Sequence, residues 1–214
     1  MPNGCKNNLR IKGNGEKVLE LLELMKDDDG EMTFNKLVPM PSELKDTTSP
    51  VPSSVSQKER DKLKEKYGAD NWYDWHCKYW GCKWDASESE FYKRGNDWYV
   101  SFNTPWGPPM EFIKRVSEQF NKMTFELQFA DETMSGYPLG EAIFENGQET
   151  IDGPMECTPQ AEEFAEMVWD GEWVDDWTKL EGKEERLKYL LEKERTCELD
   201  KEERYELQEL KGGA

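Results

Sequence analysis

Between Pro109 and Asp131 the hydrophobic period changes from helical to alternating, and nothing else in the chain constrains its fold as tightly. In PMEFIKRVSEQF (109–120), Phe112, Ile113, Val116 and Phe120 fall on one helical stripe. In MTFELQFAD (123–131), Met123, Phe125, Leu127 and Phe129 share one face of an extended strand. An amphipathic helix running directly into a half-buried strand buries its stripe by folding back on a sheet. The first part of the chain repeats the arrangement in reverse. NNLRIKG (7–13) turns Leu9 and Ile11 inward, and EKVLELLELMK (16–26) gathers Val18, Leu19, Leu22 and Met25 on one face.

Further strands fit around these units. MTFNKLVPMP (32–41) reads as a strand that breaks at Pro39. EFYKRGNDWYVSFN (90–103) reads as a hairpin about Gly95-Asn96, with Trp98, Val100 and Phe102 inward. YPLGEAIFENGQET (137–150) adds a strand and a turn at Asn146-Gly147. The order is β-α-β, an insertion, then β-α-β-β, which predicts an α+β fold of the split βαβ kind. Strands 7–13 and 123–130 are expected in one sheet, with helices 16–26 and 109–120 packed on one face.

The insertion, residues 42–90, holds a Ser/Thr/Pro loop (42–56), a charged helix QKERDKLKEKYG (57–68), and an aromatic segment NWYDWHCKYWGCKW (71–84). That last segment is expected to be helical, with a turn at Gly81. Beyond it, Thr158-Pro159 signals an N-cap followed by proline in the first turn. KEERLKYLLEKER and DKEERYELQEL are expected to pair as an αα-hairpin, with Leu187, Leu190, Leu191, Tyr205, Leu207 and Leu210 at its seam. The expected division is a domain over 1–154 and an acidic helical extension over 155–214.

Charge separates these parts. The formal net charge is −18, and residues 131–214 hold 25 acidic against 9 basic side chains. Such a field repels phosphates and attracts basic surfaces. It argues against direct nucleic-acid binding, and no basic stripe opposes that reading. It also leaves two roles open for the extension: a solvated, solubilising face, or a DNA-mimicking surface that docks a basic protein. No run of 18 apolar residues is present, and the N-terminus lacks the apolar core of a signal peptide. The chain is therefore expected in the host cytoplasm, with its five cysteines as thiols. His76, Cys77 and Cys82 offer one loose pair of cysteines and a single histidine, short of the two tight pairs that zinc sites usually show. Neither metal nor cofactor is expected.

MPNGCKNNLRIKG, FNKLVPMP, WGCKWDA, FNTPWGPP and FADETMSGYPLGEAIFENGQ occur in this order. Together they resemble the YubB ferredoxin-like domain family of plasmid and phage accessory proteins, over residues 1–150. The resemblance implies a ferredoxin-like antiparallel sheet and a mobile-element context. It brings no activity, cofactor or catalytic residues.

Two sets of residues are candidates for binding. Trp80, Lys83, Trp84 and Asp85, with Thr104 and Trp106 of FNTPWGPP, combine indoles for stacking, an ammonium for phosphate and a carboxylate for hydroxyls. The competing reading is that these aromatics pack over the sheet while Gly81 permits the turn. On it, FNTPWGPP mainly closes a core, with Trp106 covering the start of the following helix and Thr104 bonding its free amides. Glu162, Glu163, Glu166, Asp170, Glu172, Asp175 and Asp176 form the acidic candidate surface. The expected function is a non-enzymatic phage or mobile-element accessory protein that binds a host protein, a defence or nucleic-acid-handling component, through that surface. The alternative is a small-ligand or nucleotide-binding enzyme using the Trp80–Asp85 and Thr104–Trp106 region.

Overall fold

The sheet has six antiparallel strands: β1 (Gly4–Lys12), β2 (Ser87–Arg94), β3 (Asp97–Pro105), β4 (Thr124–Asp131), β5 (Leu139–Glu145) and β6 (Gln148–Asp152). The computed structural model describes residues 3–133, 137–154 and 158–180, with Leu191, Arg195, Arg204 and Leu207 beyond them. The spatial order is β2-β3-β1-β4-β5-β6. Within it, β2-β3-β1-β4 is the ferredoxin-like arrangement: helix α1 (Gly15–Leu24) and the insertion lead from β1 to β2, and helix α5 (Met110–Gln119) crosses from β3 to β4. The hairpin β5–β6 widens the sheet at the β4 edge. Asn146 and Gly147 both take positive φ, 48° and 75°, as a two-residue turn between twisted strands requires.

Strand alternation builds a different chemistry on each face. Leu9 and Ile11 lie in register with Leu127 and Phe125 on one side, and Leu9 with Val100 on the other. With Phe102, Ala142 and Phe144 they face α1, whose Val18, Leu21 and Leu22 are buried, and α5, which contributes Phe112, Ile113 and Val116. Both helices pack in this one cluster, but Leu19, expected on the inner face of α1, is 45% exposed and Leu21 is buried instead.

The segment 32–41 is not a strand. Met32, Thr33 and Phe34 are buried in succession rather than alternately, and only Met32 bridges, to Lys26. The Phe34 carbonyl accepts from Leu37 and Val38, closing a turn, and Asp85 takes the Phe34 N–H that a ladder would have used. Side-chain capture of the backbone outcompetes pairing here.

The insertion forms α2 (Ser42–Lys45), α3 (Gln57–Tyr67) and α4 (Trp72–Tyr79). No residue of α3 is buried; Ser56 caps its start, and Gly68, at φ 78°, ends it. The opposite face of the sheet carries α6 (Pro159–Trp169). Ala161, Phe164, Ala165 and Val168 pack there with Ala130 and Leu139 as a second cluster. Helices therefore cover both faces, with α6 and the short 3-10 turn Trp177–Lys179 at the second cluster. The expected hairpin 183–210 lies outside the described residues apart from Leu191, Arg195, Arg204 and Leu207, of which Leu207 is buried.

Candidate functional site

The turn after α4 is held from beneath by an imidazole. Asn71 caps α4 through its side chain, which accepts the Asp74 N–H at 2.9 Å. One turn on, His76 stacks on Trp80 with ring centroids 3.8 Å apart, while Trp72 and Trp75 meet its ring edge to face. His76 Nδ1 lies 2.8 Å from the Lys83 carbonyl. A carbonyl only accepts, so Nδ1 carries the proton and donates it. Nε2 keeps its lone pair and is buried without a partner among the described residues. Burial lowers the imidazole pKa, and the hydrogen bond to Lys83 offsets part of that.

Trp80 and Asp85 serve this architecture. The Trp80 indole donates to the Val38 carbonyl at 2.9 Å, and its own carbonyl accepts the Phe112 N–H at the start of α5 at 3.2 Å. Asp85 accepts from Phe34 N at 2.6 Å, Thr33 Oγ1 at 2.7 Å and Ala86 N at 2.9 Å. Between them Gly81 sits at φ 86°, where an added Cβ would come within 3.1 Å of the Met110 and Glu111 amides.

FNTPWGPP runs along the same surface. Phe102, Thr104, Pro105 and Pro109 are buried. Thr104 Oγ1 accepts from Asn7 at 2.8 Å and donates to the Gly107 carbonyl at 2.7 Å, so it bonds its own loop and not the α5 amides. Trp106 turns outward instead of covering the helix. Its N–H donates to Asn3, its φ is 70°, and the residue stays 48% exposed.

Lys83 joins the two segments. Its Nζ stands 4.4 Å from the Trp84 ring centre and 4.7 Å from that of Trp106. Trp106 also meets Tyr73 edge-on at 6.5 Å. Beside them opens a groove of about 290 Å³, lined by Cys77, Lys83, Trp106, Pro108, Tyr137 and others. Of the six candidate ligand residues, Lys83, Trp84 and Trp106 converge at the surface. Trp80, Asp85 and Thr104 make structural hydrogen bonds, and of the six only Lys83 and Trp106 line the groove. A cavity of about 530 Å³ in the insertion, lined by Glu43, Val51, Leu63, Lys66 and Tyr67 among others, went unread in the sequence. It brings together segments up to 27 positions apart, none with a motif. Hydrogen bonds from Tyr67 and Lys66, with local backbone help, hold the Glu43 carboxyl down at about 2.

The cysteines diverge. Cys82 is buried with Sγ 3.2 Å from the Trp84 carbonyl, and burial pushes its thiol well up; Cys77 is exposed. Among the described residues, no three His, Cys, Asp or Glu side chains converge as metal ligands.

On the other face, the acidic candidates ride on a pinned helix. Thr158 caps α6 by accepting the Ala161 N–H at 3.1 Å. Buried Asn8 donates to the Val168 carbonyl at 2.9 Å. Buried Gln128 donates to the Val174 carbonyl at 2.6 Å and accepts the Val174 N–H at 3.0 Å. With its inner face fixed in this way, α6 exposes Glu162 and Glu166, its C-terminal cap Asp170 is exposed, and the following segment exposes Glu172 and Asp175. Glu163 is half-buried and engaged, and Asp176 is tied to Thr178 and, at 2.8 Å, to Lys179.

Residues 79–172 match the family described as the ferredoxin-like domain in Api92-like protein, a span running from the end of α4 past α6. Among solved structures, the chain is similar to the protein api92 from Yersinia pseudotuberculosis. The identity is 9%, the TM-score 0.43, and the alignment covers 72% of this chain and 99% of that one. No protein of curated function matches it. No helix among the described residues is long and apolar enough to cross a membrane.

Proposed function

We propose that the protein is a non-enzymatic binding protein that docks a basic protein through the carboxylate face of α6 and the segment after it. The observation that carries this reading is the spacing of Glu162, Glu166 and Asp170. They are i, i+4 neighbours of like charge, exposed, and without an ion pair among the described residues. Glu162, in the first turn, is favoured by the helix dipole, whereas Glu166 in the last turn and Asp170 at the C-terminal cap stand where the dipole disfavours a carboxylate, so helix stability does not account for those two. Pinning by Asn8 and Gln128 pre-organises the surface and lowers the entropic cost of docking.

The YubB-like motifs read in residues 1–150 are what support a mobile-element accessory protein acting in the host cytoplasm, while the family matched over 79–172 is that of Api92-like proteins. A nucleic-acid-handling or defence component is the kind of host protein whose basic surface would meet this face. The test compares the intact chain with a variant carrying Glu162→Gln, Glu166→Gln, Asp170→Asn and Asp175→Asn as baits in host lysate. The expected result is a partner retained by the native chain, released by moderate salt, and lost in the variant. Equal capture by both baits, with equal salt dependence, overturns the reading.

A further inference from the structure

Trp106 holds a backbone conformation that bulky residues rarely adopt, φ 70°, yet its indole gains no burial from it and remains 48% exposed. Strain of this kind persists where the surrounding structure imposes it, and it gathers at ligand clamps. Here the imposed position sets the indole 4.7 Å from the Lys83 ammonium, which also lies 4.4 Å from the ring centre of Trp84, an indole itself 44% exposed. The Lys83 backbone is fixed independently by His76, through the carbonyl, so the side chain is free to leave without disturbing the turn.

We infer that Trp84 and Trp106 form a clamp for an alkylammonium group, that Lys83 is its resident occupant, and that a lysine side chain of a partner protein exchanges with it. The occupant's chemistry is the one already seated there: a cation between two π faces. No carboxylate among the described residues pairs with Lys83. The groove bordered by Cys77, Pro108 and Tyr137 lies beside the clamp and gives an incoming chain a place to lie. This site is separate from the α6 face and stands whether or not that face docks anything.

Lys83 is then a competitor and not a ligand-binding group, which gives the test its sign. The intact chain is titrated with tetramethylammonium chloride while the indole N–H signals of Trp84 and Trp106 are followed by NMR. Sodium chloride at equal ionic strength is the control. Lys83→Ala should strengthen tetramethylammonium binding about fivefold by emptying the clamp, and Trp84→Ala or Trp106→Ala should abolish the response. Weaker or unchanged binding in Lys83→Ala overturns the proposal, the weaker result pointing to an anion held by the ammonium. Shifts reproduced by sodium chloride overturn it as well.

Discussion

Gly81 and His76 show how much of this surface depends on single residues. Gly81 combines a left-handed φ with backbone amides 3.1 Å from where a Cβ would stand, so Gly81→Ala should cost about 1–3 kcal/mol, read as a lower urea midpoint. Its need for glycine was legible from the turn, but its contact with the start of α5 was not. His76 was legible only as a lone histidine short of metal partners. The imidazole favours its neutral form in the fold because burial lowers its pKa. The unfolded chain takes up that proton more readily below about pH 6.5. His76 therefore contributes its full stability above that pH and loses it as the pH falls through the lowered folded value. His76→Phe keeps an aromatic ring beside Trp80 and removes this titration. The native chain should lose more stability than the variant between about pH 7.5 and pH 5, as compared by urea unfolding; parallel loss in both would assign the effect to other groups.

At the level of elements, α6 is where the sheet's polar face acquires its purpose. Asn8 and Gln128 sit at outward strand positions that alternation marks as solvent-facing, yet each is at most 1% exposed. They are buried because they satisfy the backbone of α6 and of the segment after it, which also receives a 3.4 Å hydrogen bond from Tyr92 to the Gly171 carbonyl. Gln128→Leu leaves the Val174 N–H and carbonyl unpartnered and should cost about 1–3 kcal/mol. Hydrogen exchange should show faster opening confined to α6 and residues 170–175, with β1 to β4 still protected. Phe164→Ala, which empties the middle of the second cluster, should cost about 3–5 kcal/mol. The strand expected over 32–41 failed for the converse reason. Its alternation was genuine but short, and Asp85, 51 positions from Phe34, captured its backbone first.

For the whole molecule, the acidic half and the folded sheet are not independent. Deleting 155–214 removes α6, bares Ala130 and Leu139, and strands Asn8 and Gln128 against water or one another. We expect the truncated chain to melt at lower temperature and to expose apolar surface to a hydrophobic dye; unchanged melting would make α6 a dispensable appendage. What the sequence determined by itself was whatever depends on periodicity along the chain: the strand–helix pairs β1–α1 and α5–β4, the inward residues of β1, β3 and β4, the two helices on one face, and the excess of carboxylates in the C-terminal part. Those features follow from short-range alternation and from composition, which need no partner to be read. Tertiary structure alone decided which polar residues of the second face would be buried, that Trp106 would turn outward under strain, and that Lys83 would rest between two indoles contributed by segments some twenty residues apart. Each depends on a contact between distant residues, and whether a side chain is core, scaffold or surface is set by what the fold brings against it.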